Sequence, residues 1–356
     1  AKALLAGVTT SQGITLINTA IPHHYQGIVR NVEKTGDPAL PHAATRVGDV
    51  KNAASFRKRL DKTSTLLLHL AEGVDDTARK HFKALKIQGT KWAITDALAG
   101  IHCAGLRGRD FATLRSRGGT MVWSPLSNLL LYGDTADIER ARDEGVLIAL
   151  GSDWSPSGSK NLLGELKVAQ LISDKNGGLF SSREIVAMAT TNAARILKWD
   201  GALGSIEAGK RADLMVVDNR RGDPYDHLIR ARETSVVLAV INGIARYGQP
   251  RLMNRFGGET EAFALNGSQR AFFFELSPGE DLSGTRSGPV SERYIAAALH
   301  GDPHMHGWEQ IEDILKEVDA ALEPLGFETT KSLTTPTPEL HKALLPVLRA
   351  LTRTAE

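Results

Sequence analysis

The sequence predicts an α/β protein, a TIM-type (β/α)₈ barrel followed by a small β-sandwich remnant and a C-terminal accessory segment. Short apolar β-type runs alternate with helical stretches over 1–198. Those runs are apolar at successive positions, as parallel strands covered by helices on both faces must be. From 199 to 250 strand-like runs are instead separated by glycine-rich turns, with no helix read between them.

The strand candidates are "GVTTSQGITLI" (7–17), "ATRVGDV" (44–50), "TSTLLLHL" (63–70), "ALAGIHC" (97–103), "GTMVWSP" (119–125) and "GVLIALGSD" (145–153). A helix is expected in "TADIERARDEG" (135–145), where Ile138, Ala141 and Arg142 keep a 3.6-residue period and Gly145 marks the stop. "GALGSIEAGKRADLMVVD" and "TSVVLAVINGIARYG" read as strands of a small antiparallel unit. The expected division is therefore 1–198 for the barrel, 199–250 for the small β domain and 251–356 for the accessory segment. Amphipathic helices are expected in the last of these around 307–323 and 338–352, offering a surface to a second subunit in a homo-oligomer.

The 356 residues suffice for one large barrel and a smaller domain, since single cores stop growing at roughly 250–300 residues. Forty-three Lys and Arg face 41 Asp and Glu, a net charge of +2, which gives no reason to expect nucleic acid or an anionic membrane as partner. A small-molecule substrate is expected instead. Cys103 is the only cysteine, which fits a reducing, cytoplasmic setting. No apolar run approaches the roughly 20 residues that span a bilayer. The chain begins "AKALLAG" without an initiator Met, so it is expected to start inside a longer protein.

Four residues share one address. His69 ends the run Leu66-Leu67-Leu68, His102 ends "ALAGI", Asp153 ends "VLIALGS", and Glu72 follows His69 by three positions. In a barrel of this kind the C-terminal strand ends converge on the active-site mouth. Two imidazoles and two carboxylates there suit a divalent ion with a position left for water, whose pKa the ion lowers toward neutrality. A nearby carboxylate is then needed to move the proton to the leaving group.

"LLLHLAEG", "GIHC", "SPLSNLLLYG", "LGSDWSPSGS" and "TNAARILKWDGALGSIEAGKRADLMVVD" resemble amidohydrolase-superfamily sequence over about 3–250. The resemblance is strongest to the cytosine-deaminase and chlorohydrolase-like branch. It implies a hydrolase acting on C–N bonds, by deamination of a heterocycle or opening of a cyclic amide, with one divalent metal, Zn or Fe. It makes His69 a ligand from the family's fifth strand, and Asp153, from the eighth, both a ligand and a proton acceptor. Glu72 becomes the proton relay. His102, from the sixth, hydrogen-bonds the attacking water or the developing oxyanion, and becomes a ligand in binuclear relatives. Those relatives use a carboxylated Lys on the fourth strand, and "ATRVGDV" holds none, which favours one metal.

The family's first strand carries a His-x-His pair ahead of the strand at 7–17, and only six residues stand there. The first strand is thus expected to be missing from this stretch of chain, with an inactive, non-catalytic scaffold or a binuclear amide or ester hydrolase as the alternatives. "DPHMHG" (302–307) repeats the spacing with His304 and His306, though an exposed turn is the commoner reading of it. Ser124, Asn128 and Trp154 are candidate substrate contacts near the mouth. Cys103 is expected to pack away from the pocket, and adjacent His23 and His24 to lie in a loop.

Overall fold

A computed structural model describes residues 2–12, 28–154, 157–218 and 221–274. Its first sheet is built from β1 (Ala43–Arg46), β2 (Thr65–Leu70), β3 (Leu98–His102), β4 (Thr120–Trp123) and β5 (Ile148–Leu150), adjacent in that order. All four pairings are parallel. Each successive pair is joined through at least one helix: α1 (Ala53–Leu60), α2 (Asp76–Lys83), α3 (Arg109–Arg115), then α4 (Pro125–Tyr132) and α5 (Ile138–Asp143) together. After β5 come α6 (Leu162–Lys175), α7 (Ser182–Met188) and α8 (Thr191–Ile196). The expected βαβ alternation is therefore present: four of the five strand candidates from 44 to 153 form a shorter strand within the run, and the first forms one at Ala43–Arg46, starting one residue ahead of 44–50. Of the candidate at 7–17, Thr10–Ser11 forms a short parallel pairing with Arg30–Asn31, and 13–17 lies outside the described residues.

The helix starts are set by side chains that satisfy otherwise unpaired backbone N–H groups. Asn52, Asp75, Asp137 and Asn161 each accept from a backbone N–H in the first turn, and Ser181 with Glu184 completes a capping box. In α5, Ile138 and Ala141 are buried as the period predicts. Arg142 is instead exposed and sets its guanidinium 5.8 Å from the Phe180 ring, where its aliphatic stem covers apolar surface while the charge stays wet.

Along β2, Leu66, Leu68 and Leu70 are fully buried. Leu67 alternates with them and joins a second packed layer with Ala99, Ile101, Ala149, Ile196 and Trp199. Truncating a leucine in such a layer to alanine costs about 2–5 kcal/mol.

The second sheet is antiparallel, with β6 (Leu214–Val217), β7 (Val236–Ile241), β8 (Ile244–Gly248), β9 (Glu261–Leu265) and β10 (Ser268–Phe272) in the order β6-β7-β8-β10-β9. Its strands lie on both sides of position 250, the last two joined through Asn266-Gly267, both in the left-handed region that such tight hairpins demand. One helix, α9 (Pro224–Arg230), interrupts the stretch that the sequence suggested was helix-free. Asp223 caps it from Tyr225 and Asp226 N–H, and Pro224 pre-sets its first turn.

The "GKRADL" run ties this sheet to residues 30–37. Arg30 makes a two-bonded pair with Asp213, at 2.7 and 3.0 Å, and Arg211 makes another with Asp37, at 2.8 and 3.0 Å. Arg30 and Asp213 are both almost wholly removed from solvent.

Candidate active site

His69, Glu72 and His102 come together at the C-terminal ends of β2 and β3. One ligand-capable atom from each lies within 4.8 Å of the others. The imidazole centroids of His69 and His102 are 5.3 Å apart. Asp153, just beyond β5, has its Oδ2 3.9 Å from His102 Nε2, while Glu72 Oε1 lies 3.5 Å from the same nitrogen.

Backbone conformation explains how the two histidines meet. Parallel register pairs His69 with Ile101 and puts Leu67 opposite Ala99, so His69, Leu67, Ala99 and Ile101 share a face. Simple alternation would send His102 to the opposite face. Instead His102 and Cys103 both adopt left-handed φ, 67° and 53°, which ends the pleat and brings the His102 ring toward His69. Gly100 makes room for this turn, because a Cβ there would lie 2.6 Å from Cys103 Sγ. Cys103 is fully buried, and burial pushes its thiol well above the ordinary range, as a packing residue should show. Ala71 and Asp153 also have left-handed φ, 48° and 56°. Four such non-glycine residues at the C-terminal ends of β2, β3 and β5 amount to stored strain, which concentrates where geometry serves a function.

Helix α4 contacts each of the acidic and imidazole groups except His69. Ser127 Oγ donates to Asp153 Oδ2 over 2.6 Å, Asn128 Oδ1 lies 3.0 Å from His102 Nδ1, and the Tyr132 hydroxyl donates to Glu72 Oε1 over 2.9 Å. Burial, and then Glu72, push the Tyr132 phenol up, so it stays a proton donor. Ser127 and Tyr132 carried no signal as single residues. The sequence suggested a strand over 119–125 and no helix over 125–132, so the facing of that helix toward the strand ends came only from the structure.

Behind α4 sits Glu165, wholly buried on α6, accepting from the Leu126 and Ser159 backbone N–H groups at 3.3 and 3.2 Å. Burial raises it to about 7. Gly158 lies close against Ser152, since a Cβ on it would fall 1.9 Å from the Ser152 carbonyl oxygen.

Among the proposed substrate contacts, Trp154 is 67% exposed beside Asp153, to whose Oδ1 its own N–H donates. Ser124 and Asn128 are buried, and both ends of the Asn128 amide are engaged within the protein. His23, His24, His304 and His306 lie outside the described residues.

The donor set can be tested for a metal. Among the described residues, His69 Nδ1 and His102 Nε2 are buried ring nitrogens without a hydrogen-bond partner. Burial of a polar atom without a partner is costly, and coordination would remove that cost. Burial, followed by the neighbouring His102, also lowers the His69 pKa, favouring the neutral ring that a metal requires. Imidazole nitrogen with carboxylate oxygen is a donor mixture suited to zinc or iron. The residues fit the ion.

A family model of the amidohydrolase family matches residues 47–252, more than half the chain, and the chain belongs to that family. It is 31% identical over 193 residues to a 5-methylthioadenosine/S-adenosylhomocysteine deaminase of Syntrophus aciditrophicus (strain SB), covering 50% of this chain and 44% of that protein. It is 27% identical over 187 residues to an S-triazine hydrolase of Gordonia rubripertincta, covering 51% and 39%. The chain thus spans less than half the length of these two relatives. An adenosine deaminase from Xanthomonas campestris, solved with bound zinc, shares the fold at a TM-score of 0.55 and 19% identity, over 69% of this chain and 67% of that one.

Proposed function

We propose that this protein is a metal-dependent hydrolase acting on C–N bonds, by deamination of a heterocycle or hydrolysis of a cyclic amide. The observation that carries the reading is the convergence of His69, Glu72 and His102 within 4.8 Å, with two buried ring nitrogens left unpartnered. His69 and Asp153 would hold one divalent ion, Zn or Fe, and His102 would join them in a binuclear version. When bound, such an ion supplies a Lewis acid that makes water a competent nucleophile near neutral pH.

The chain's own groups do the rest. Asp153, held by Ser127, accepts a proton from the attacking water. Glu72, about one-third exposed and held by Tyr132, carries a proton to the departing nitrogen. His102 presents Nε2 between the two carboxylates and aligns the water. Trp154, at the mouth, stacks on a planar ring, and Ser124 and Asn128 support the wall behind. Methylthioadenosine-like nucleosides and triazines, named for the relatives above, are the small-molecule substrates to try first.

The five parallel strands are read as part of a (β/α)₈ barrel, within a division of 1–198, 199–250 and 251–356. Among the described residues no helix is long and apolar enough to cross a membrane, and we place the protein in the cytoplasm.

Metal analysis by mass spectrometry, with ammonia release from 5′-methylthioadenosine, S-adenosylhomocysteine and an s-triazine, tests the proposal. Near-stoichiometric metal with turnover that Glu72→Gln abolishes, metal being retained, supports it. Unchanged turnover in that variant overturns the relay role. Two equivalents of metal indicate the binuclear version, and a metal-free, inert chain a non-catalytic scaffold.

A further inference from the structure

The His102 ring has two nitrogens in different surroundings. Nε2 is buried, 3.5 Å from Glu72 Oε1 and 3.9 Å from Asp153 Oδ2, and makes no hydrogen bond. Nδ1 points the other way, 3.0 Å from Asn128 Oδ1. Which nitrogen carries the proton decides what His102 offers to a molecule in the pocket, because a neutral imidazole is a donor at one nitrogen and an acceptor at the other.

The choice turns on the orientation of the Asn128 amide behind the ring. The Trp123 indole N–H can only donate, and it donates to Thr135 Oγ1 over 2.8 Å. Asn128 Nδ2 donates to the same oxygen over 3.3 Å. With its amino group turned to Thr135, Asn128 presents its carbonyl oxygen to His102, and a carbonyl oxygen can only accept. Nδ1 must then hold the ring proton. On the opposite side Glu72 Oε1 and Asp153 Oδ2 stand 3.5 and 3.9 Å from Nε2, outside hydrogen-bond contact, so the Asn128 carbonyl is the partner that the ring proton meets. Trp123, Asn128 and His102 are each fully buried, so water does not compete for these bonds.

We propose that Asn128, backed by Thr135 and Trp123, is a positioning residue that holds His102 in its Nδ1–H tautomer, with Nε2 left as an acceptor. The tautomer stands on the hydrogen-bond chain alone; only its catalytic consequence rests on the hydrolase reading. In that setting the neutral ring takes a hydrogen bond from the attacking water and cannot donate one to a developing oxyanion. Of the two roles open to His102, the geometry points to the first.

The test is nitrogen-15 NMR on full-length, histidine-labelled, metal-free protein at about pH 9, well above the usual imidazole range. Comparison with His102→Gln assigns the signals. The expected wild-type spectrum shows His102 protonated at Nδ1. Asn128→Asp, which keeps an acceptor, should preserve that pattern. Asn128→Leu should lose it, and Thr135→Val, a smaller change that frees the amide to turn over, should shift the ring toward Nε2–H if Asn128→Leu does not fold. Wild-type protonation at Nε2, or a tautomer that no folded variant alters, overturns the proposal. Because no metal or substrate is needed, failure of the hydrolase reading leaves this outcome untouched. In metal-loaded enzyme, Asn128→Leu should lower kcat roughly 10- to 100-fold with KM little changed, partly rescued by Asn128→Asp.

Discussion

The Tyr132 hydroxyl donates a 2.9 Å hydrogen bond to Glu72 Oε1, linking the last residue of α4 to the loop that leaves β2, 60 positions earlier in the chain. That bond restrains one carboxylate oxygen of the proposed proton relay. Tyr132→Phe keeps the ring and removes only the donor. The expected outcome is a fall in kcat of about tenfold, equivalent to about 1.4 kcal/mol, with metal content unchanged. Steady-state kinetics beside elemental analysis checks it, and wild-type kcat in a metal-replete variant would sink the idea.

Glu165 makes a prediction about pH. Burial lifts it to about 7 from an ordinary value of 4.5, so the native state binds this proton more tightly than the unfolded chain. Between those values the native state holds more protons, and stability must fall as pH rises. The contribution is complete below pH 4.5 and gone above about 7. Glu165→Gln removes the slope. Relative to wild type, the variant should gain up to roughly 3 kcal/mol on going from pH 4.5 to 7.5, by urea denaturation. Parallel stability profiles would contradict the assignment.

The Arg30–Asp213 pair is buried, whereas Arg57–Asp61 is a half-exposed i,i+4 pair on α1. Asp213→Asn removes the two-bonded carboxylate from a buried guanidinium, leaving it Asp37 at 3.9 Å and Asn242 at 3.2 Å, and should cost roughly 3 kcal/mol. Asp61→Asn should cost under about 1 kcal/mol, since solvent screens that pair. Chemical denaturation of the two variants side by side decides; equal losses would show that burial is not the controlling difference.

Metal should bind the native state and not the unfolded chain. Added zinc at about 100 times its Kd should then stabilise the protein by about 2.7 kcal/mol, seen as a rise in Tm that chelation reverses. His69→Ala should abolish the rise. A shift that survives in His69→Ala would place the ion elsewhere.

Much of the architecture was legible because it depends on local pattern. Short strand-like runs bounded by turns located β1 to β5, and the 3.6-residue period with the Gly145 stop located α5. The helix at Pro224–Arg230 was missed because its start rests on one Asp-Pro pair inside a strand-rich stretch. His69, Glu72, His102 and Asp153 were each named as candidates from strand ends and a family motif, and the structure brings them near one another.

Their arrangement was not legible, and His102 shows why. Alternation is a property of an ideal strand, and it sends His102 away from His69. Left-handed φ at His102, with space provided by Gly100, reverses that, and it persists because the surrounding packing makes up its cost. The acceptors and donors behind the site depend likewise on where α4 docks. Ser127, Asn128 and Tyr132 are an ordinary helical run until the fold lays them against Asp153, His102 and Glu72. The amino-acid order alone thus determined which chemistry-bearing residues end which strands, since that follows from short-range periodicity. Only the tertiary structure decided which way each points and what restrains it, because those are set by contacts between segments tens of residues apart.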